Sequence, residues 1–188
     1  MINKLKWILL LFVFPSVCYS NVPCNPSSWE DNLNEFSRLE SKYNKHVKVF
    51  NALLVEHKQR PLLSKEFSPD ELVMLWRVKS RRDMLQTQLD ASIKYRQELT
   101  HKAGEITKLS TQSKWSANGW EKLAQSCKVA DEMSNQITAE WYHSNATQLA
   151  EDYTKLSSLY LGLAAVYDRE ATALTSAKHK RNTNTVAQ

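Results

Sequence analysis

Two Glu-x-x-His pairs, Glu98 with His101 and Glu140 with His143, have the residue types and spacing that could hold a metal. Three residues is close to one helical turn, so each pair would share a helix face. Bundles that bind two iron or manganese ions use such pairs, with a further Glu from each of two other helices. The apolar pattern around the pairs argues against that chemistry. Glu98 and Glu140 each sit one residue before an apolar seam residue, Leu99 and Trp141, and the histidines lie two residues after it. Both pairs are therefore expected to point outward. Their heights also disagree. If two helices pair across a turn at Asn118, His101 faces about residue 130, and His143 lies roughly 20 Å further along. No metal ligand is assigned.

The remaining reactive residues are few. The chain has 3 cysteines, none in a C-x-x-C-H or other metal or redox spacing, and no G-x-S-x-G or Gly-rich phosphate loop. Few loops leave few places to build a cleft. The expectation is a protein with no catalytic residues, no cofactor and no enzymatic activity.

Residues 1–20 read as a cleaved signal peptide. Lys4 and Lys6 precede an apolar run from Leu5 to Phe14, Pro15 ends it, and Cys18-Tyr19-Ser20 puts small residues at −3 and −1 before Asn21. The run is too short for a retained span. Val17 and Pro15 also fit poorly to a lipid-modified Cys18. Removing this segment lowers the net charge from +5 to +3, which is too weak a bias for nucleic acid. It also leaves two cysteines, Cys24 and Cys127. An even count in an oxidising compartment predicts a disulfide between them, and hence a periplasmic or secreted protein.

The elements that would position these residues follow from the scarcity of breakers. With only 3 Gly and 5 Pro in 188 residues, a sheet protein would lack its turns, so the chain is expected to be all-α. Trp29, Phe36, Tyr43 and Phe50 recur every seven residues, with Leu33, Val47 and Leu54 as partners and Glu40 as the one charged member. That predicts a first helix from about Ser28 to Arg60, ended by Pro61. Ser68-Pro69-Asp70-Glu71 is a capping box opening a second helix to about Gln112. Ser116-Ala117-Asn118-Gly119 reads as a turn.

A third stretch from Trp120 to Ala177 carries Tyr153, Tyr160 and Tyr167 at heptad spacing, read as core rather than as a ligand platform. Its seam shifts phase between Ser144 and Leu149. The expected architecture is an elongated antiparallel bundle of three long coiled-coil-like helices. The alternative is a four-helix bundle broken near Asn145. The bundle domain would span 21–178, with 179–188 as a disordered polar tail.

Trp115 and Trp120 bracket the expected turn, so they are the candidate partner-binding residues, set against a plain hydrophobic lid. The functional expectation is an exported non-enzymatic binding protein, a component of an envelope or secretion assembly. Its partners would be other proteins, not nucleic acid or a stable membrane span, with self-association left open. A holdase-type periplasmic chaperone and a secreted toxin or metal-binding bundle are the alternatives.

Overall fold

The computed structural model describes the backbone of residues 22–186 and the side chains of residues 22–182. The expected signal peptide lies outside the described residues. The described chain is all-α, a helical bundle with no strand. Its elements are α1 (Pro26–Lys58), α2 (Leu63–Glu66), α3 (Pro69–Arg77), a 3-10 turn (Lys79–Arg81), α4 (Arg82–Val129) and α5 (Met133–Val186).

The spine is the antiparallel hairpin of α4 and α5, with 48 and 54 residues. At 1.5 Å per residue, α5 is about 80 Å long. Small residues line the seam between the two helices at heptad spacing: Ala103, Ser110, Ala117 and Ala124 on α4, and Ala150, Ser157, Ala164 and Ala171 on α5. All of them are buried. Small side chains let the backbones approach, and two serines use that approach reciprocally. Ser110 Oγ donates to the carbonyl of Ala150 at 2.8 Å, and Ser157 Oγ donates to the carbonyl of Ala103 at 3.0 Å.

Helix α1 lies along this hairpin, parallel to α5. Tyr43, Phe50 and His57 each meet the tyrosine 110 positions on, at ring separations of 5.3, 4.7 and 5.4 Å. The tyrosine hydroxyls then tie the helices together. Tyr153 donates to the carbonyl of Leu39 at 2.7 Å and Tyr160 to that of His46 at 3.3 Å, while Tyr167 pairs with His57 Nδ1 at 3.1 Å. The heptad tyrosines are thus core, as the spacing predicts. The seam position given to Glu40 belongs instead to Leu39, which is buried while Glu40 is exposed.

The ends of the elements differ from expectation in three places. Helix α1 starts at Pro26 rather than at about Ser28, and Asn25 caps it, accepting from the Ser28 amide at 3.0 Å. The Ser68–Glu71 capping box is present, but α3 stops at Arg77. Val78 is extended there, and Arg82 turns back to donate to the carbonyls of Trp76 and Arg77. Helix α5 is unbroken through Asn145, as expected, and the alternative break is not present. It also continues to Val186, so most of the expected disordered tail is helical. Lys178 and Arg181 lie over the buried ring of Trp76, giving that last stretch something to pack on.

The largest difference is the turn. Residues 116–119 are helical within α4, and the chain reverses at Ala130–Glu132 instead. Asp131 takes a left-handed φ of 60°, and the Glu132 amide reaches back to the Cys127 carbonyl at 2.9 Å. Ser116 and Ala117 are small because they are buried in the bundle. Gly119 is small because a Cβ there would stand 2.6 Å from Asn32 Oδ1 of α1. Residues that look like a turn by composition are there for close helix approach. The expected set of three comparable helices is therefore replaced by a two-helix spine, with α1 and then α3 laid on it.

A fully buried carboxylate fixes the crossing between α1 and α3. Glu170 of α5 accepts from the amides of Leu63 and Ser64, both at 2.9 Å, and from Gln88 Nε2 at 3.2 Å. Gln88 also holds the carbonyl of Pro61 at 3.1 Å.

Candidate functional site

Cys24 and Cys127 are joined by a disulfide, with their α-carbons 5.0 Å apart. The pairing is the expected one, but its setting is not. Cys127 sits in the last turn of α4, one turn before the chain reverses, rather than early in a third helix. The bond ties the start of α1 to the closed end of the α4/α5 hairpin.

Inside this end lies an aromatic cluster. Trp120 stacks on Tyr142 at 4.4 Å, Trp29 meets Trp120 edge-on at 5.4 Å, and Phe36 meets Tyr142 at 5.6 Å. Ala139 and Ala146 stand where the 110-residue offset would place partners for Trp29 and Phe36, and their small volume admits the rings. Such ring pairs add about 0.5–1.5 kcal/mol each beyond their buried area.

Trp115 and Trp120 do not form a tip. Trp120 is fully buried in the cluster, as the lid reading would have it, and Trp115 stands alone on the outer side of α4, 67% exposed. The helix runs straight through both, so five residues turn them to different sides.

The exposed apolar surface of this end is elsewhere. Met133, Ile137 and Trp141 follow one another at i, i+4 and i+8 along the first turns of α5, with Val129 just across the reversal. All four are between 59% and 85% exposed. The spacing places the α5 residues in one stripe. Trp141 is held in place by an edge contact with Tyr142, at 4.9 Å between ring centres. The stripe is therefore backed by the buried cluster and by the disulfide.

Sequence reasoning missed this stripe, because it took Trp141 as a seam residue and placed the change of phase only after Ser144. The signal was present. The regular set from Leu149 to Leu174, carried backwards in steps of seven, puts Ala139 and Ala146 inside and leaves Met133, Ile137 and Trp141 outside.

The two Glu-x-x-His pairs are not brought together. His101 is exposed and faces Glu105 at 3.3 Å, and Glu98 faces Lys94 at 3.9 Å. His143 makes a 2.9 Å hydrogen bond through Nδ1 with the carbonyl of Ala117, and Glu140 accepts from Gln136 at 2.8 Å. Among the described residues no three His, Cys, Asp or Glu side chains cluster as a metal site would require, and no helix is long and apolar enough to cross a membrane. Comparison with protein-family models, with curated proteins and with solved structures finds no match.

Proposed function

We propose that the chain is an exported, non-enzymatic helical binding protein, a component of an envelope or secretion assembly in the periplasm or outside the cell. Its partner is another protein, docked on the stripe of Val129, Met133, Ile137 and Trp141. The observation that carries this reading is the contrast within one end of the molecule. A disulfide and a buried aromatic cluster make that end rigid, yet four large apolar side chains are left to solvent on it. Rigid, preorganised apolar anchors with a tryptophan among them are what a protein interface uses at its centre. The Cys24–Cys127 bond supports export, because such bonds persist in oxidising compartments.

The reading is tested by replacing Ile137 with Lys and Trp141 with Ala together. Both side chains are exposed, so the fold is expected to survive and the melting temperature to stay within a few degrees. Native envelope extracts are then fractionated by size. The wild-type chain should run in one larger particle and the double variant as the free chain. Unchanged migration of the variant in that particle would overturn the proposal. Capture of many unfolded proteins by both forms would point to the chaperone alternative.

A further inference from the structure

We infer that the cleft between α1 and α4 is a binding site for a multiply charged phosphate-type anion, held by Lys42, Lys45, Lys102 and Lys108. The cleft has a volume of about 450 Å³, and Val49 and Leu109 are its apolar lining. Lys42, Lys45 and His46 line it from α1, and Lys102 and Lys108 from α4, with Glu105 its one carboxylate.

Elsewhere on the bundle, several basic groups meet a carboxylate. Arg96 meets Asp168 at 2.9 Å, Arg38 meets Glu35 at 2.6 Å, Lys155 meets Asp152 at 3.3 Å, and Arg60 pairs with Glu56. In the cleft, Glu105 is taken up by Lys102 at 2.7 Å and by His101 at 3.3 Å, and among the described residues no ion pair forms at Lys42, Lys45 or Lys108. The fold thus brings the ammonium groups of Lys42, Lys45 and Lys108 from two helices into one cleft without a carboxylate partner, beside the paired Lys102. That arrangement costs self-repulsion and returns nothing until an anion enters. Lysine ammonium groups, each with three donors, suit phosphate oxygens, and a phosphate carries more charge per group than a carboxylate.

His46 reports the field of the site. Burial, and then Lys102, Lys45 and Lys42, hold its imidazole below the usual histidine range, with Glu105 opposing them. From α5, the Tyr160 hydroxyl reaches only the His46 backbone carbonyl. A bound phosphate would add negative charge beside the ring and raise its pKa.

The test uses the full mature chain and inorganic tripolyphosphate at low salt, followed by calorimetry and by the His46 ring signals in NMR. Lys45→Gln with Lys108→Gln is the site variant, and Lys114→Gln with Lys128→Gln is the control of equal charge. The site variant should bind about tenfold more weakly. It should also melt no lower than wild type, because repulsion is relieved. The control should bind as wild type does, and the His46 pKa should rise on binding. Retention by phosphatidylglycerol but not phosphatidylcholine vesicles, lost in the site variant, would place the phosphates on a lipid surface. Tripolyphosphate binding without such retention would place them in a soluble molecule. Equal weakening in both variants, no binding, or equal affinity for polyglutamate would overturn the inference.

Discussion

Replacing Glu170 tests how the two ends of the fold are joined. The carboxylate is fully buried and, among the described residues, no basic side chain pairs with it; its partners are the Leu63 and Ser64 amides at 2.9 Å and Gln88 Nε2 at 3.2 Å. A hydrogen bond to a charged acceptor contributes about 1.5–3 kcal/mol net. Glu170→Ala removes two such bonds to backbone donors. Leu63 and Ser64 are only half-buried, so water recovers part of the loss. Gln88 keeps its bond to Pro61 and loses less. The expected cost is about 3 kcal/mol. Glu170→Gln keeps the volume but turns one acceptor into a donor facing an amide, and about 2 kcal/mol is expected. Urea unfolding with the disulfide intact measures both. At a slope near 2 kcal/mol/M, the alanine variant should lose about 1.5 M in midpoint. Amide exchange should accelerate selectively at Leu63 and Ser64. A midpoint unchanged within about 0.2 M, or loss of protection spread evenly along the chain, would refute the reasoning.

Three further outcomes follow from the packing. Trp120→Ala should cost about 3–5 kcal/mol by leaving a cavity in the aromatic cluster, while Trp115→Ala should fall within about 0.5 kcal/mol of wild type by thermal or urea unfolding. Gly104→Ala, with open space around it, should stabilise by about 0.5–1 kcal/mol in urea, whereas Gly119→Ala should gain nothing until Asn32→Ala removes the side chain 2.6 Å from the new Cβ. Burial pushes the Tyr153 hydroxyl up to about 12. A folded value above the unfolded one gives stability that is complete below about pH 10 and is lost as pH rises toward 12. Stability measured across that window should therefore fall less steeply in Tyr153→Phe, which should itself cost about 1 kcal/mol at neutral pH through loss of the bond to Leu39.

The periodic parts of this fold were legible in the sequence, and the small residues were not. Trp29, Phe36, Tyr43 and Phe50 mark the inner side of α1, and the tyrosines of α5 answer them, because large side chains at heptad spacing have one way to be buried. Ser116, Ala117 and Gly119 carry no such signal. The same residues that make turns also let helices touch, and only the contact with Asn32 and the burial against α5 distinguish the two uses. The true reversal uses Asp131 in a left-handed conformation that glycine usually takes, so composition pointed thirteen residues too early. The displaced turn moved the inner side of α5 in turn, which hid the stripe at Met133, Ile137 and Trp141 and promoted Trp115 in its place. The Cys24–Cys127 pairing survived that error because it rested on the cysteine count, and because both cysteines lie at the same end in either arrangement. Glu170 had a positional signature but no chemical one. It continues the seam of Leu149, Leu156 and Leu163 in steps of seven, which marks it as inward-facing, but nothing in the spacing names the Leu63 and Ser64 amides that receive it.

The docking proposal is tested most directly by placing a photo-crosslinking side chain at position 137 in the chain expressed in its native cells, with Thr111 on the outer side of α4 as the control position. The account expects one defined protein adduct from position 137, lost when Trp141 is also changed to Ala, and none from position 111. No adduct at position 137, or the same spread of adducts from both positions, would contradict it.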